Sequence, residues 1–330
     1  MAFCFLLGAL ILFVLAFAYY SYRICFYSHA KRTEDIYDAP KGEQYVHWGQ
    51  KMVEIALIME SADCETVSII AQDGCRLCGR LYDYFPGAPV ILAFHGYRSM
   101  ALRDCAGAFA LSQKLGYNIL AVDQRSHGKS DGKVITFGIR ERYDCLEWIR
   151  FINNRFGADT PIVLSGISMG AATVLMASEL ELSKNVCCIL ADCPYASPAG
   201  IITKVAGDMG YPRKLAFPVI RLGAWLFGRL NVCESSAGEA VKQAKIPILL
   251  IHGEDDRFVP CDMSREIYQG CGSPAQLHTF PDAGHGLCYI LDPRRYEKIC
   301  VDFLWSIEAL KSSLLTSEFA VSVHRNSDPA

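Results

Sequence analysis

The sequence predicts an α/β protein with about eight strands, mostly parallel, and helices on both faces of the sheet. Short apolar runs at residues 90–94, 119–122, 162–164, 188–191, 248–251 and 276–280 alternate with longer helix-like segments. Strands that are apolar throughout are buried on both faces, which is the pattern of a parallel sheet between helical layers. Ahead of them, residues 66–71 and 77–84 flank Asp73-Gly74, a hairpin signal that puts two antiparallel strands at one edge. The chain of 330 residues is 52% hydrophobic and 20% charged, enough apolar material for one large core.

The elements divide the chain as follows. Residues 2–22 carry no charge, and residues 1–22 are expected to be a transmembrane anchor, since a helix of ~20 residues crosses a bilayer. The rival is a cleaved signal peptide ending at Ala16-Phe17-Ala18. Against it, no basic region precedes the apolar run, and the run exceeds a usual signal core. Arg23, Lys31 and Arg32 follow the segment, so the positive-inside rule places the body in the cytoplasm, although Glu34 and Asp35 weaken the bias.

Residues 23–60 read as a linker ending at Ala39-Pro40-Lys41-Gly42, then a docked amphipathic helix. Its apolar face is Tyr45, Trp48, Met52, Ile55, Ala56 and Met59. The main domain is expected over 61–311 and a mobile polar tail over 312–330. Residues 197–238 interrupt the strand–helix alternation with apolar helical material around Trp225, which predicts a small helical cap over the sheet edge.

Composition excludes several functions. A net charge of −3 without a basic block gives no reason to expect nucleic-acid binding. Fifteen cysteines, odd in number and scattered through expected strands and helices, form no disulfide framework and are expected to be reduced. Cys75-x-x-Cys78 lies in a strand, where residues three apart face opposite sides, and no second pair stands at zinc spacing. No metal or cofactor is expected.

The chemistry is concentrated at three places. Gly166-Ile167-Ser168-Met169-Gly170 sits between an apolar strand and a helix, the setting of a nucleophile elbow. A sharp turn there holds Ser168 at a helix N-terminus, where the dipole favours developing negative charge. Serine needs a base within hydrogen-bond reach. His252-Gly253-Glu254-Asp255-Asp256-Arg257-Phe258-Val259-Pro260 and Asp282-Ala283-Gly284-His285-Gly286 each begin where a strand ends, on the edge where α/β active sites form.

This combination resembles the α/β-hydrolase superfamily over residues 67–305. The resemblance implies Ser168 as nucleophile, His285 as base and Asp256 as acid, four residues after His252 of an HG-x-x-D-x-x-VP stretch; the adjacent Asp255 stays open. It implies an oxyanion hole from the backbone N–H groups of Met169 and Tyr97, the latter in His95-Gly96-Tyr97. His95 reads as structural, and Asp192 and Asp282 as strand-end or loop-capping residues. Asp123-Gln124-Arg125-Ser126-His127-Gly128-Lys129-Ser130 is similar to a family stretch with Ser126 at a usual glycine, and reads as scaffold. More narrowly, the chain resembles membrane-attached bacterial serine-aminopeptidase-like hydrolases and Bem46-type acyl hydrolases, without the HGGG stretch of lipases. The expected reaction is hydrolysis of a small-molecule or lipid-like acyl ester or thioester. The alternatives are a peptidase, for which Asp208, Glu234 and Glu239 would hold a substrate amine, and a non-catalytic membrane scaffold, whose expected mark, a missing triad member, is not found.

Overall fold

The computed structural model describes residues 1–28, 35–38, 40 and 42–325. The chain begins with α1 (Ala2–Cys25), a turn of 3-10 helix at Glu43–Tyr45, and α2 (Gly49–Ser61). Then follow β1 (Glu65–Ile70), β2 (Arg76–Tyr82), β3 (Val90–Phe94), α3 (Ala101–Asp104), α4 (Ala106–Leu115), β4 (Asn118–Asp123), α5 (Glu141–Phe156) and β5 (Ile162–Ile167). The second half holds α6 (Met169–Ala177), β6 (Val186–Asp192), α7 (Pro198–Asp208), α8 (Arg213–Gly228), α9 (Ala237–Ala240), β7 (Ile248–Gly253), α10 (Asp262–Gly270) and β8 (Ala275–Phe280). It closes with α11 (Cys288–Leu291), α12 (Pro293–Trp305), α13 (Glu308–Leu315) and α14 (Glu318–Arg325).

The eight strands form one sheet in the order β1-β2-β4-β3-β5-β6-β7-β8. β2 is antiparallel to both β1 and β4, and every pairing from β4 to β8 is parallel. The alternation of side chains explains why the central strands are apolar at every position. Val90, Leu92 and Phe94 point into one core, with Trp148 of α5 and the buried helix α6; Ile91 and Ala93 point into the other, with Phe109 of α4 and Phe303 of α12. The strand edge from which α3, α6 and the β7 and β8 loops emerge is therefore held rigidly from both sides.

Three expectations need correction. The helix expected over residues 43–60 starts only at Gly49. The preceding turn is drawn away, because Gln44 accepts a hydrogen bond from the His285 N–H (3.1 Å) and Glu43 pairs with Arg257 (3.3 Å). The tail expected over 312–330 is helical through residue 325, with Leu314 and Ala320 buried. Leu310, Leu314 and Ala320 recur near helical spacing and pack inward, while Ser317 Oγ donates to the Lys114 carbonyl (3.0 Å). Residues 326–330 lie outside the described residues. The N-terminal helix runs to Cys25, three residues past the expected end, and is long and apolar enough to cross a membrane. Lys31, Arg32 and Glu34, used in the charge argument, also lie outside the described residues.

The interruption at 197–238 folds as α7 and α8, and α8 packs along the last turns of α1. Ala18 and Ser21 are buried there. A Cβ on Gly223 would collide with the Ala18 carbonyl, so glycine is what lets the two helix backbones meet.

Candidate active site

β5 ends at Ile167, and Ser168 stands between it and α6 with φ 55° and ψ −116°. Such a backbone costs a non-glycine residue ~1–3 kcal/mol and persists only where its surroundings impose it. Here the Ser168 N–H donates to the Asp192 carbonyl at the end of β6 (2.8 Å), and its carbonyl accepts from Ala172 N–H (2.9 Å). The flanking glycines are required by space. A Cβ on Gly166 would enter the Gly170 backbone, and one on Gly170 would enter the carbonyls of Phe94 and His95.

The loops after β7 and β8 bring the other two groups to the serine. His285 Nε2 lies 2.9 Å from Ser168 Oγ, and His285 Nδ1 lies 2.6 Å from Asp256 Oδ2. A carboxylate at Nδ1 keeps the proton there and leaves Nε2 to accept from the serine. Asp256 is oriented in turn, because its Oδ1 accepts from the N–H groups of Phe258 (2.9 Å) and Val259 (2.8 Å). Burial raises the Asp256 carboxyl, but its electrostatic interaction with His285 and hydrogen bonds to His252 and His285 outweigh it and hold the group well below the usual carboxylate range. Asp255 is exposed, and Asp282 lies on an exposed turn at φ 61°. Cys193 completes the surroundings. Its Sγ lies within 4.8 Å of the Asp256 and His285 ligand atoms, and burial pushes its thiol well above the ordinary range, so it is a neutral neighbour.

The loop after β3 crosses above the elbow, and a Cβ on Gly96 would stand 3.4 Å from that of Ser168. This puts the Tyr97 backbone beside the serine, while Met169 is the first residue of α6. The loop is fixed by two buried histidines. His95 Nε2 accepts from Gln124 N–H (3.0 Å) and its Nδ1 lies 2.8 Å from the Gly96 carbonyl. His127 Nε2 accepts from Arg98 N–H (3.0 Å), and burial pushes the His127 imidazole down to about 3, so it stays neutral. The 123–130 stretch thus braces the loop. Ser126 has φ 67°, which explains the glycine expected there, and its hydroxyl donates to the Val134 carbonyl (3.0 Å).

Two cavities, each of about 330 Å³, meet at Ser168. One is of mixed character, with Gln44, Arg103, Asp104, His285 and Tyr289 among apolar side chains such as Met52 and Ile55. The other is apolar, running between α1 and the helices α7 and α8. The apolar cavity has no counterpart in the sequence pattern, although Phe17, Tyr20, Ser21 and Ile24 in its wall share one helical face. Asp208, Glu234 and Glu239 line neither cavity and are paired with Lys204 (2.5 Å), Arg142 (3.0 Å) and Lys242 (2.7 Å).

The fold and family agree with known proteins. Esterase Pf2001 of Pyrococcus furiosus superposes with a TM-score of 0.60 at 26% identity, covering 75% of this chain and 94% of that one. YqkD, an uncharacterized protein of Bacillus subtilis, is 27% identical over 191 residues, or 58% of this chain and 63% of its own. The lysophosphatidylserine lipase ABHD12 of Rattus norvegicus is 25% identical over 236 residues, 67% of this chain and 56% of its own. The chain therefore spans little more than half the length of these two curated relatives. Residues 87–232 and 218–289 match the serine aminopeptidase S33 family, and with that match extending over most of the chain, the protein belongs to this family of α/β-hydrolase serine hydrolases.

Proposed function

We propose that the protein hydrolyses an acyl ester or thioester of a lipid-like substrate, with Ser168 as nucleophile, His285 as base and Asp256 as the acid that orients it. The observation that carries this reading is the unbroken hydrogen-bond chain from Asp256 Oδ2 through His285 to Ser168 Oγ, opening where a mixed and an apolar cavity meet. Ser168 Oγ attacks the acyl carbonyl as its proton passes to His285 Nε2. The N–H groups of Met169 and Tyr97 and the N-terminal end of α6 stabilise the oxyanion. His285 returns the proton to the leaving alcohol or thiol, then takes one from water, whose oxygen attacks the acyl-enzyme; as the bond to Ser168 Oγ breaks, His285 gives this proton to Oγ and the acid leaves.

In this reading residues 61–311 form the hydrolase domain, 197–238 its cap, and α1 anchors it to a membrane with the domain on the cytoplasmic face. A peptidase reading is favoured by the family's name alone. Against it, the three cap carboxylates that would hold an amine are each paired with a base. Fluorophosphonate labelling of the full-length protein, beside assays on p-nitrophenyl esters and aminoacyl anilides, tests both readings. Wild type is expected to label and to prefer esters, and Ser168→Ala to lose labelling. Normal labelling of Ser168→Ala would remove the nucleophile assignment, and a preference for anilides would favour the peptidase.

A further inference from the structure

The apolar cavity is unusual in what builds it. Phe17, Tyr20, Ser21 and Ile24 occupy positions i, i+3, i+4 and i+7 of α1 and form one continuous wall. Ile201, Ile202, Val205 and Ala206 of α7 face them, with Ala216 and Ile220 of α8 closing the side. Ser168 stands at the inner end. Among the described residues Arg98 is the one charged member of this wall, and its guanidinium is engaged, donating to the carbonyls of Ile24 (2.6 Å) and Tyr27 (3.1 Å) at the end of α1.

The cavity-lining stripe of α1 does not stop at the cavity. Continued toward the N-terminus at the same spacing it runs through Phe13, Leu10 and Leu6, all exposed, on the part of the helix that projects from the folded body. An unbroken apolar track thus leads from the segment able to cross a bilayer to the candidate nucleophile. α1 is also bonded to the catalytic loop itself, since Tyr97 Oη donates to the Cys25 carbonyl (2.8 Å).

We propose that α1 is part of the substrate site. One acyl chain of a membrane lipid ester lies along the Phe17–Tyr20–Ser21–Ile24 face, between α1 and the helices α7 and α8, with its ester carbonyl at Ser168 and its polar remainder in the mixed cavity, toward Gln44, Arg103 and Asp104. The helix therefore selects acyl length as well as tethering the domain. This proposal deepens the hydrolase reading and rests on Ser168 as nucleophile.

The test uses the full-length chain in phosphatidylcholine nanodiscs. Octanoate and acetate p-nitrophenyl esters are compared by kcat/KM in wild type, Ile24→Trp, Ala206→Trp and Tyr19→Trp; Tyr19 is on α1 but outside both cavities. Each buried methylene is worth about four-fold. Wild type is expected to favour octanoate by at least ~100-fold, Ile24→Trp and Ala206→Trp to lower that ratio ~10-fold or more, and Tyr19→Trp to keep it. The same ratio in all four proteins overturns the proposal. A second arm needs no turnover. Ser168→Ala protein is photolabelled with a diazirine fatty acid, with soluble and nanodisc-embedded probe compared. Adducts within residues 17–25 and 201–220, stronger with embedded probe, support the site; adducts confined elsewhere, or arising equally from soluble probe, overturn the membrane route. Adducts in those segments without hydrolysis of either ester by wild type would leave the acyl site standing and remove the Ser168 reading.

Discussion

Replacing Asp256 with asparagine keeps the size of the side chain and changes what it can accept. In the folded protein one carboxylate oxygen takes two loop N–H groups, from Phe258 and Val259, and the other faces His285 Nδ1 at 2.6 Å. An asparagine has one oxygen for these three donors. With its oxygen on the loop, its amide nitrogen meets His285 Nδ1 and can only donate. The imidazole proton then moves to Nε2, 2.9 Å from Ser168 Oγ, where a lone pair is needed to receive the serine proton. A wrong tautomer of this kind lowers turnover by ~10⁴-fold, equivalent to about 5.5 kcal/mol of barrier. Asp255 is exposed and its N–H donates to the Ala283 carbonyl (3.1 Å), a bond its side chain does not make. Asp255→Asn should therefore cost no more than ~3-fold, in line with ordinary surface substitutions. The assay is kcat for a p-nitrophenyl ester in both variants, with fluorophosphonate labelling rates alongside. Equal losses, or a larger loss for Asp255→Asn, would refute the reasoning and move the acid.

Three further outcomes are expected. Gly170→Ala, which drives a Cβ into the carbonyls of Phe94 and His95, should destabilise the protein by about 3 kcal/mol or more, read as a fall in Tm; an unchanged Tm would mean the elbow can relax. His127 is held neutral down to about 3, so below its ordinary value near ~6.5 the unfolded chain binds a proton that the folded chain refuses. Stability is lost as pH falls through that window, by about 2 kcal/mol at pH 5, and His127→Gln should remove this part of the slope. Asp144 and Asp192, raised to about 6 by burial, act with the opposite sign but are present in both proteins, so the difference in Tm between pH 7.5 and 5 isolates His127. Fusions after residue 330 should give fluorescent green fluorescent protein and inactive alkaline phosphatase in a bacterial host; the reverse would place the domain outside the cytoplasm.

Much of the fold was legible because burial leaves a local mark. Strands covered on both faces must be apolar at consecutive positions, and β3 matches its expected limits, residues 90–94. Gly166 and Gly170 are equally legible, since no Cβ fits at either place. The helices of the last segment were missed because Leu310, Leu314 and Ala320 are separated by serines and lysine, and their burial depends on distant partners such as Lys114 and Tyr117.

By itself the sequence determined the sheet, the elbow and the two strand-end loops that carry Asp256 and His285. Each follows from sterics and hydrophobicity acting over a few neighbouring residues. Which of two adjacent aspartates meets His285 depended on how the β7 loop turns its N–H groups toward Asp256, and only the tertiary structure decided that. It also decided that α1 walls a cavity ending at Ser168. That arrangement joins residues near position 20 to residues near 100, 168 and 205, and contacts between segments so far apart leave no periodicity in the chain to read.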